Sequence, residues 1–148
     1  MTDTAIRWAQ SGDEAAWRGL WASYLEFYAT ALPEAVTAAT WARCLDPAHP
    51  MGLRLALVDG VPAGFALHLS HASSWSPADD CYLEDLFVDA KARGTGLGRA
   101  LIEDLRELCR DRGWSRLYWL TGRSNARARA LYDSFTPTDD HLRYRLDV

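Results

Sequence analysis

Three glycines, Gly94, Gly96 and Gly98, alternate with Thr95 and Leu97 between Arg93 and Arg99. Glycine lets a loop turn tightly and lets successive N–H groups face an anion with no Cβ in the way. A helix opening at the same place adds unpaired amides and the positive end of its dipole. The flanking guanidinium groups can reach phosphate oxygens. A pyrophosphate suits this loop. The dinucleotide fingerprint fails, because Arg99 stands where its third glycine belongs. The ATP-binding P-loop fails too, since no Gly-Lys-Ser/Thr follows.

Two further groupings carry chemistry. Upstream, Tyr82-Leu83-Glu84-Asp85-Leu86-Phe87-Val88 sets two carboxylates in an otherwise apolar strand-like segment. A buried carboxylate is costly and needs a reason. One reason is to bind an amine and relay its proton. Downstream, Asn125-x-x-Ala128-x-x-Leu131-Tyr132 forms a short helical pattern. Its tyrosine, with an ordinary pKa of about 10, stays protonated at neutral pH and can donate to a leaving group.

These groups need elements to hold them. Ala5–Trp8 reads as a first strand. Ser11 or Asp13 can cap a helix reaching Ala29, with Trp17, Trp21, Tyr24 and Tyr28 on one face. Leu32-Pro33-Glu34 starts a second helix that stops near Asp46-Pro47. Gly52–Val58 and Val61–Ser70 flank Asp59-Gly60, a hairpin signal. His71–Asp80, rich in Ser, Pro and Asp, reads as loop, and Cys81–Val88 as strand. Alternation puts Tyr82, Glu84, Leu86 and Val88 on one face, and Leu83, Asp85 and Phe87 on the other. Gly98–Asp111 is a helix with a stripe of Leu97, Leu101, Leu105 and Leu108, ended by Gly113. Trp114–Leu120 reads as a strand, Asn125–Ser134 as a short helix and His141–Asp147 as a closing strand. This order predicts one domain over residues 1–148, of the α/β or α+β class. Its mixed sheet should be covered by helices on both faces.

Arg93-x-x-Gly96-x-Gly98 resembles the acyl-CoA pyrophosphate loop of the GNAT N-acetyltransferase superfamily. The resemblance runs from about Gly52 onward and includes the Asn125–Tyr132 segment. It implies a strand that splays from its neighbour to admit the pantetheine arm, gripped by Leu86, Phe87 and Val88. It places the pyrophosphate of acetyl-CoA on Gly94 to Arg99, with Arg93 beside it. Asn125 and Ala128 would meet the pantetheine, and Tyr132 would be the acid at the thioester sulfur. The Tyr82–Val88 segment is similar to that of polyamine (diamine) acetyltransferases, where the glutamate binds substrate and is a proposed base. Carried over, that role falls to Glu84, with Asp85 the weaker candidate. Trp119 would face the acceptor, and Tyr24, Glu26 and Phe27 would cap the amine. Main-chain amides of the splayed strand can serve the thioester oxygen. One departure is Asp133-Ser134-Phe135, where many relatives have a Leu-Gly-Phe turn.

The expected activity is acetyl transfer from acetyl-CoA to a primary amine, such as a polyamine, by direct attack in a ternary complex. The alternatives are a protein lysine, an N-terminus or an amino acid as acceptor, or a coenzyme-binding regulatory domain without turnover. Bulk properties agree. The 148 residues carry a net charge of −4, with 49% apolar and 24% charged residues. That length buries a real core, and the charge offers nothing to nucleic acid. No apolar run can span a bilayer, and the N-terminus lacks a signal-peptide layout, so cytoplasmic residence is expected. Cys44, Cys81 and Cys109 lie far apart and read as buried thiols. His68 and His71 should face opposite sides of a strand, which argues against a metal. Relatives often dimerise, so a homodimer is among the expected partners.

Overall fold

The computed structural model describes residues 1–148. Five strands form one sheet in the order β1-β2-β3-β4-β5: β1 Thr4–Trp8, β2 Met51–Val58, β3 Val61–Ser73, β4 Ser76–Val88 and β5 Arg116–Trp119. The first four are antiparallel neighbours, and β5 lies parallel to β4. Helices α1 (Glu14–Phe27) and α2 (Glu34–Leu45) cover one face. Helix α3 (Leu97–Arg112) covers the other, and α4 (Ala126–Asp133) follows β5. The predicted mixed sheet with two covered faces is what forms.

Each face has its own core. Trp17, Leu20, Trp21 and Trp41 pack on Leu53, Leu55, Leu57, Phe65, Leu67 and Phe87. On the α3 side, Leu97, Leu101, Ile102 and Leu105 pack on Ala56, Ala66 and Leu83. The aromatic stripe of α1 stacks as expected, with Trp17 and Trp21 ring centres 5.3 Å apart and Trp21 and Tyr24 5.4 Å apart. Truncating a buried tryptophan such as Trp17 costs roughly 3–5 kcal/mol.

Local chemistry sets the boundaries. Asp59 and Gly60 both adopt positive φ, 49° and 80°, the signature of the tight hairpin turn their types predict. Gly113 closes α3 at φ 69°. The start of α1 differs from expectation. Ser11–Asp13 is a 3-10 turn, and the Asp13 side chain accepts from Gln10 N–H and pairs with Arg7 at 2.7 Å. The Arg7 hydrogen bond holds the Asp13 carboxyl below its usual range.

Three sequence readings need correction. His71–Asp80 is no loop: β3 runs on to Ser73 and β4 begins at Ser76, with Ser73 paired to Ser76 across a tight turn. Its polar residues suit a hairpin arm open to water on one side. The strand read at Trp114–Leu120 shortens to Arg116–Trp119. The closing strand read at His141–Asp147 does not form, and every residue from Thr136 to Val148 is exposed. Alternation alone cannot make a strand without a neighbour to bond.

Alternation along β4 also breaks. Leu67 pairs with Asp85 and His68 with Leu83, so Glu84 is an extra residue, a β-bulge. The bulge shifts the phase by one. Leu83 therefore packs under α3, while Phe87 joins the α1 core. The expectation that Leu83, Asp85 and Phe87 share one face is wrong for that reason.

Candidate active site

Strands β4 and β5 pair only from Asp80–Leu83 to Arg116–Trp119. Beyond Leu83 the two strands part, and the rest of β4 has no strand on that side. The splay expected from the sequence is thus present. A groove of about 420 Å³ opens there, walled by Leu86, Phe87 and Val88 of β4 and by Asn125, Ala128, Leu131 and Tyr132 at α4. Arg93, Gly94, Gly96, Leu97, Gly98 and Arg99 form its end.

Of the residues expected to hold the cofactor, all but Thr95 line this groove. The Thr95 hydroxyl turns inward to the Ala92 carbonyl. Gly94 and Gly96 take φ of 80° and 88°, which side-chain-bearing residues rarely adopt. A Cβ at Gly98 would meet Leu131 Cδ2 at 3.2 Å. The glycines therefore serve both backbone conformation and clearance. Leu97, Gly98 and Arg99 form the first turn of α3, whose amides have no carbonyl partner within the helix. Ala100 N–H makes the first such bond, to Gly96 O at 2.9 Å.

The cations are braced. Arg93 Nε donates to Val88 O at 3.1 Å, and its guanidinium lies 5.6 Å from the Phe87 ring centre. Arg99 donates to Ser134 Oγ at 2.7 Å. A third cation, Arg127, lines the groove and was not singled out from the sequence; its place in the first turn of α4, beside Asn125, was the available signal. Tyr28, Ala92 and Leu131 were also missed. Tyr28 is the next member of the α1 aromatic stripe.

Tyr132 lies on the groove wall, its ring edge-on to Trp119 at 5.4 Å. Burial, then the nearby Tyr28, pushes its phenol up to about 12. It is fully protonated at neutral pH and can donate. Asn125 precedes α4 and sends Nδ2 to Thr121 Oγ1 at 3.3 Å.

The residues expected at the acceptor divide. Tyr24 and Phe27 line the groove. Glu26 is exposed on α1, away from it. Trp119 supports Tyr132 from behind and lines a separate cavity of about 300 Å³ between α3 and β5. Glu84 projects from the bulge into solvent. Asp85 is largely enclosed and accepts a 2.6 Å hydrogen bond from the Tyr24 hydroxyl. Burial lifts the Asp85 carboxyl to about 6, against the pull of Tyr24 and with a push from Glu84. Burial, then Asp85, raises Tyr24.

A splayed strand, a glycine-lined anion cradle and a protonated tyrosine together suit a thioester of a pyrophosphate-bearing carrier. The sequence matches the acetyltransferase (GNAT) family over residues 14–135. The chain belongs to that family. As a GNAT protein it is an N-acetyltransferase that draws its acetyl group from acetyl-CoA. It is 36% identical over 135 residues to the D-amino-acid N-acetyltransferase HPA3 of Saccharomyces cerevisiae, covering 90% of this chain and 84% of that one. It is 34% identical over 98 residues to a thialysine N-epsilon-acetyltransferase of Caenorhabditis elegans, covering 63% of this chain and 61% of that protein. The GNAT fold recurs in the aminoglycoside acetyltransferase AAC(6')-Iy in complex with CoA, with TM-score 0.83 and 20% identity over 100% of this chain and 97% of that one. No helix is long and apolar enough to cross a membrane.

Proposed function

We propose that this enzyme acetylates a small cationic primary amine, such as a polyamine, by direct attack on acetyl-CoA in a ternary complex. The observation that carries this reading is the carboxylate pair Glu84–Asp85, placed on the strand whose next residues wall the coenzyme groove. Acetyl-CoA supplies the activated acyl group. Leu86, Phe87 and Val88 hold its pantetheine arm along the free edge of β4. Main-chain amides there steady the charge that develops on the carbonyl oxygen. The amides from Leu97 to Arg99, with Arg93 and Arg127, hold the pyrophosphate. Glu84, exposed on the bulge, draws the ammonium in. Tyr132 hands a proton to the departing thiolate.

A second reading has a specific support. The Saccharomyces cerevisiae relative acts on D-amino acids. The Arg143 guanidinium lies close enough to Tyr82 to pull against the burial and the Glu84 charge that raise it. A cation there could meet the carboxylate of an amino-acid acceptor. Thiol release from acetyl-CoA, followed with diamines, polyamines, D- and L-amino acids and a peptide amine, separates the two. Preference for a polyamine supports the first reading. Preference for amino acids, lost in Arg143→Ala, supports the second.

A further inference from the structure

An attacking ammonium must first lose a proton, and the groove offers one short route for it. Tyr24 lines the groove, whereas Asp85 does not. The carboxylate is reached through the Tyr24 hydroxyl, which donates to Asp85 Oδ1 at 2.6 Å. A phenol hydroxyl that donates its proton keeps its lone pairs, so it can accept from an N–H while its own proton stays on the bond to Asp85.

We propose that Tyr24 and Asp85 form a proton relay, in which the acceptor ammonium passes a proton to Tyr24 Oη as Tyr24 passes its own to Asp85. This assignment rests on the amine-acetylation reading above. The step balances. The ammonium and the Asp85 carboxylate become a neutral amine and a carboxylic acid, and the phenol is regenerated. The freed lone pair forms the C–N bond, and the C–S bond breaks. Of the two protons lost by the nitrogen overall, one ends on the coenzyme thiol by way of Tyr132. Asp85 releases the other to solvent.

The surroundings favour this pair over Glu84 as the proton acceptor. The side chain of Glu84 is in solvent, and it has no protein partner through which to act. Asp85 is enclosed, and an uncharged amine beside an uncharged acid suits an enclosed site. The titratable groups around Asp85 are Tyr24 from α1, Cys44 from α2, and Tyr82 and Glu84 from β4. Burial pushes the Cys44 thiol up to about 12, so it stays neutral and does not compete. The relay is also held rigidly. The Tyr24 ring packs edge-on against Phe65 at 5.9 Å and Phe87 at 6.0 Å.

The pH profile tests it, with the amine that wild type uses best. Tyr24→Phe keeps the ring and removes only the hydroxyl. With the relay intact, kcat/KM stays flat above the Asp85 titration. Without it, only amine already deprotonated in solution reacts, and the rate climbs with pH toward the amine's own pKa. We expect a deficit of about 100-fold at pH ~7 that closes to within about threefold at pH ~9. Asp85→Asn should show the same profile, and the double variant should be no slower than either single one. A deficit that is the same at every pH, or no deficit, overturns the relay. If wild type releases no thiol with any amine, the acetylation reading fails and the relay fails with it.

Discussion

The Tyr132 ring stands edge-on to Trp119, with ring centres 5.4 Å apart, although the two residues belong to different elements. This contact fixes the phenol on the groove wall. Tyr132→Phe keeps the packing and removes the donor. We expect kcat to fall about 100-fold with acetyl-CoA affinity unchanged. Thiol-release kinetics and calorimetric titration with coenzyme measure the two. Unaltered turnover would exclude Tyr132 as the acid.

Gly96 sits at φ 88° directly before α3, with open space where a Cβ would go. Gly96→Ala therefore tests backbone conformation rather than clash. The strain should cost about 1–2 kcal/mol and disturb the anion cradle. Acetyl-CoA affinity should weaken by about tenfold, as that strain implies if it falls on the bound loop. Gly98→Val tests clearance instead, through Leu131, and should narrow the groove and weaken coenzyme binding further.

Glu84 is exposed and unpaired, so its charge should act by attraction. Glu84→Gln is expected to raise KM for a cationic amine by about two- to fivefold, the scale of one partly screened charge. The pH dependence of kcat should stay as in wild type. A lost or shifted limb would instead make Glu84 the proton acceptor.

Two buried groups give stability opposite slopes with pH. Burial, then the Arg54 charge, lowers His68 from 6.5 to about 4. Between those values the unfolded chain binds the extra proton, so His68 makes stability rise with pH. Asp85 is raised from 3.8 to about 6. Its contribution is complete below the unfolded value and is lost as pH rises through the folded one. From pH ~4 to ~6 the two nearly cancel, each approaching about 1.4 kcal/mol per pH unit. Asp85→Asn should make stability rise more steeply with pH in this window than it does in wild type, and His68→Gln should make it fall. Denaturant unfolding across that range reads both slopes. Variants parallel to wild type would contradict the assignment.

The sequence carries the groove and its glycine-lined end far better than the surroundings of the two carboxylates. Gly94, Gly96 and Gly98 announce themselves because few residues tolerate that backbone, and the leucine stripe of α3 because burial repeats with the helix. The bulge has no such mark: nothing in the types of Glu84 and Asp85 says which one the sheet leaves unpaired. Their environments follow from the Leu67–Asp85 register, a tertiary fact. Likewise Tyr24 is legible as one of an aromatic stripe, but its partner is 61 residues away. Residues 71–80 were hidden by turn-like composition inside a long hairpin. Residues 141–147 show the reverse error, a strand pattern with no partner to complete it.

The extra residue at Glu84 gives one strand two independent halves. From Asp80 to Leu83, β4 is an ordinary sheet member, locked between β3 and β5. Past the bulge it is a scaffold with one side open. A single deletion at Glu84 would remove the bulge yet keep both halves on their present faces, since Leu83 and Asp85 already pair with the adjacent residues His68 and Leu67. The loss would fall on the exposed Glu84 carboxylate and on the local bend of the bulge, while Asp85 and Phe87 stay on the α1 side of the sheet.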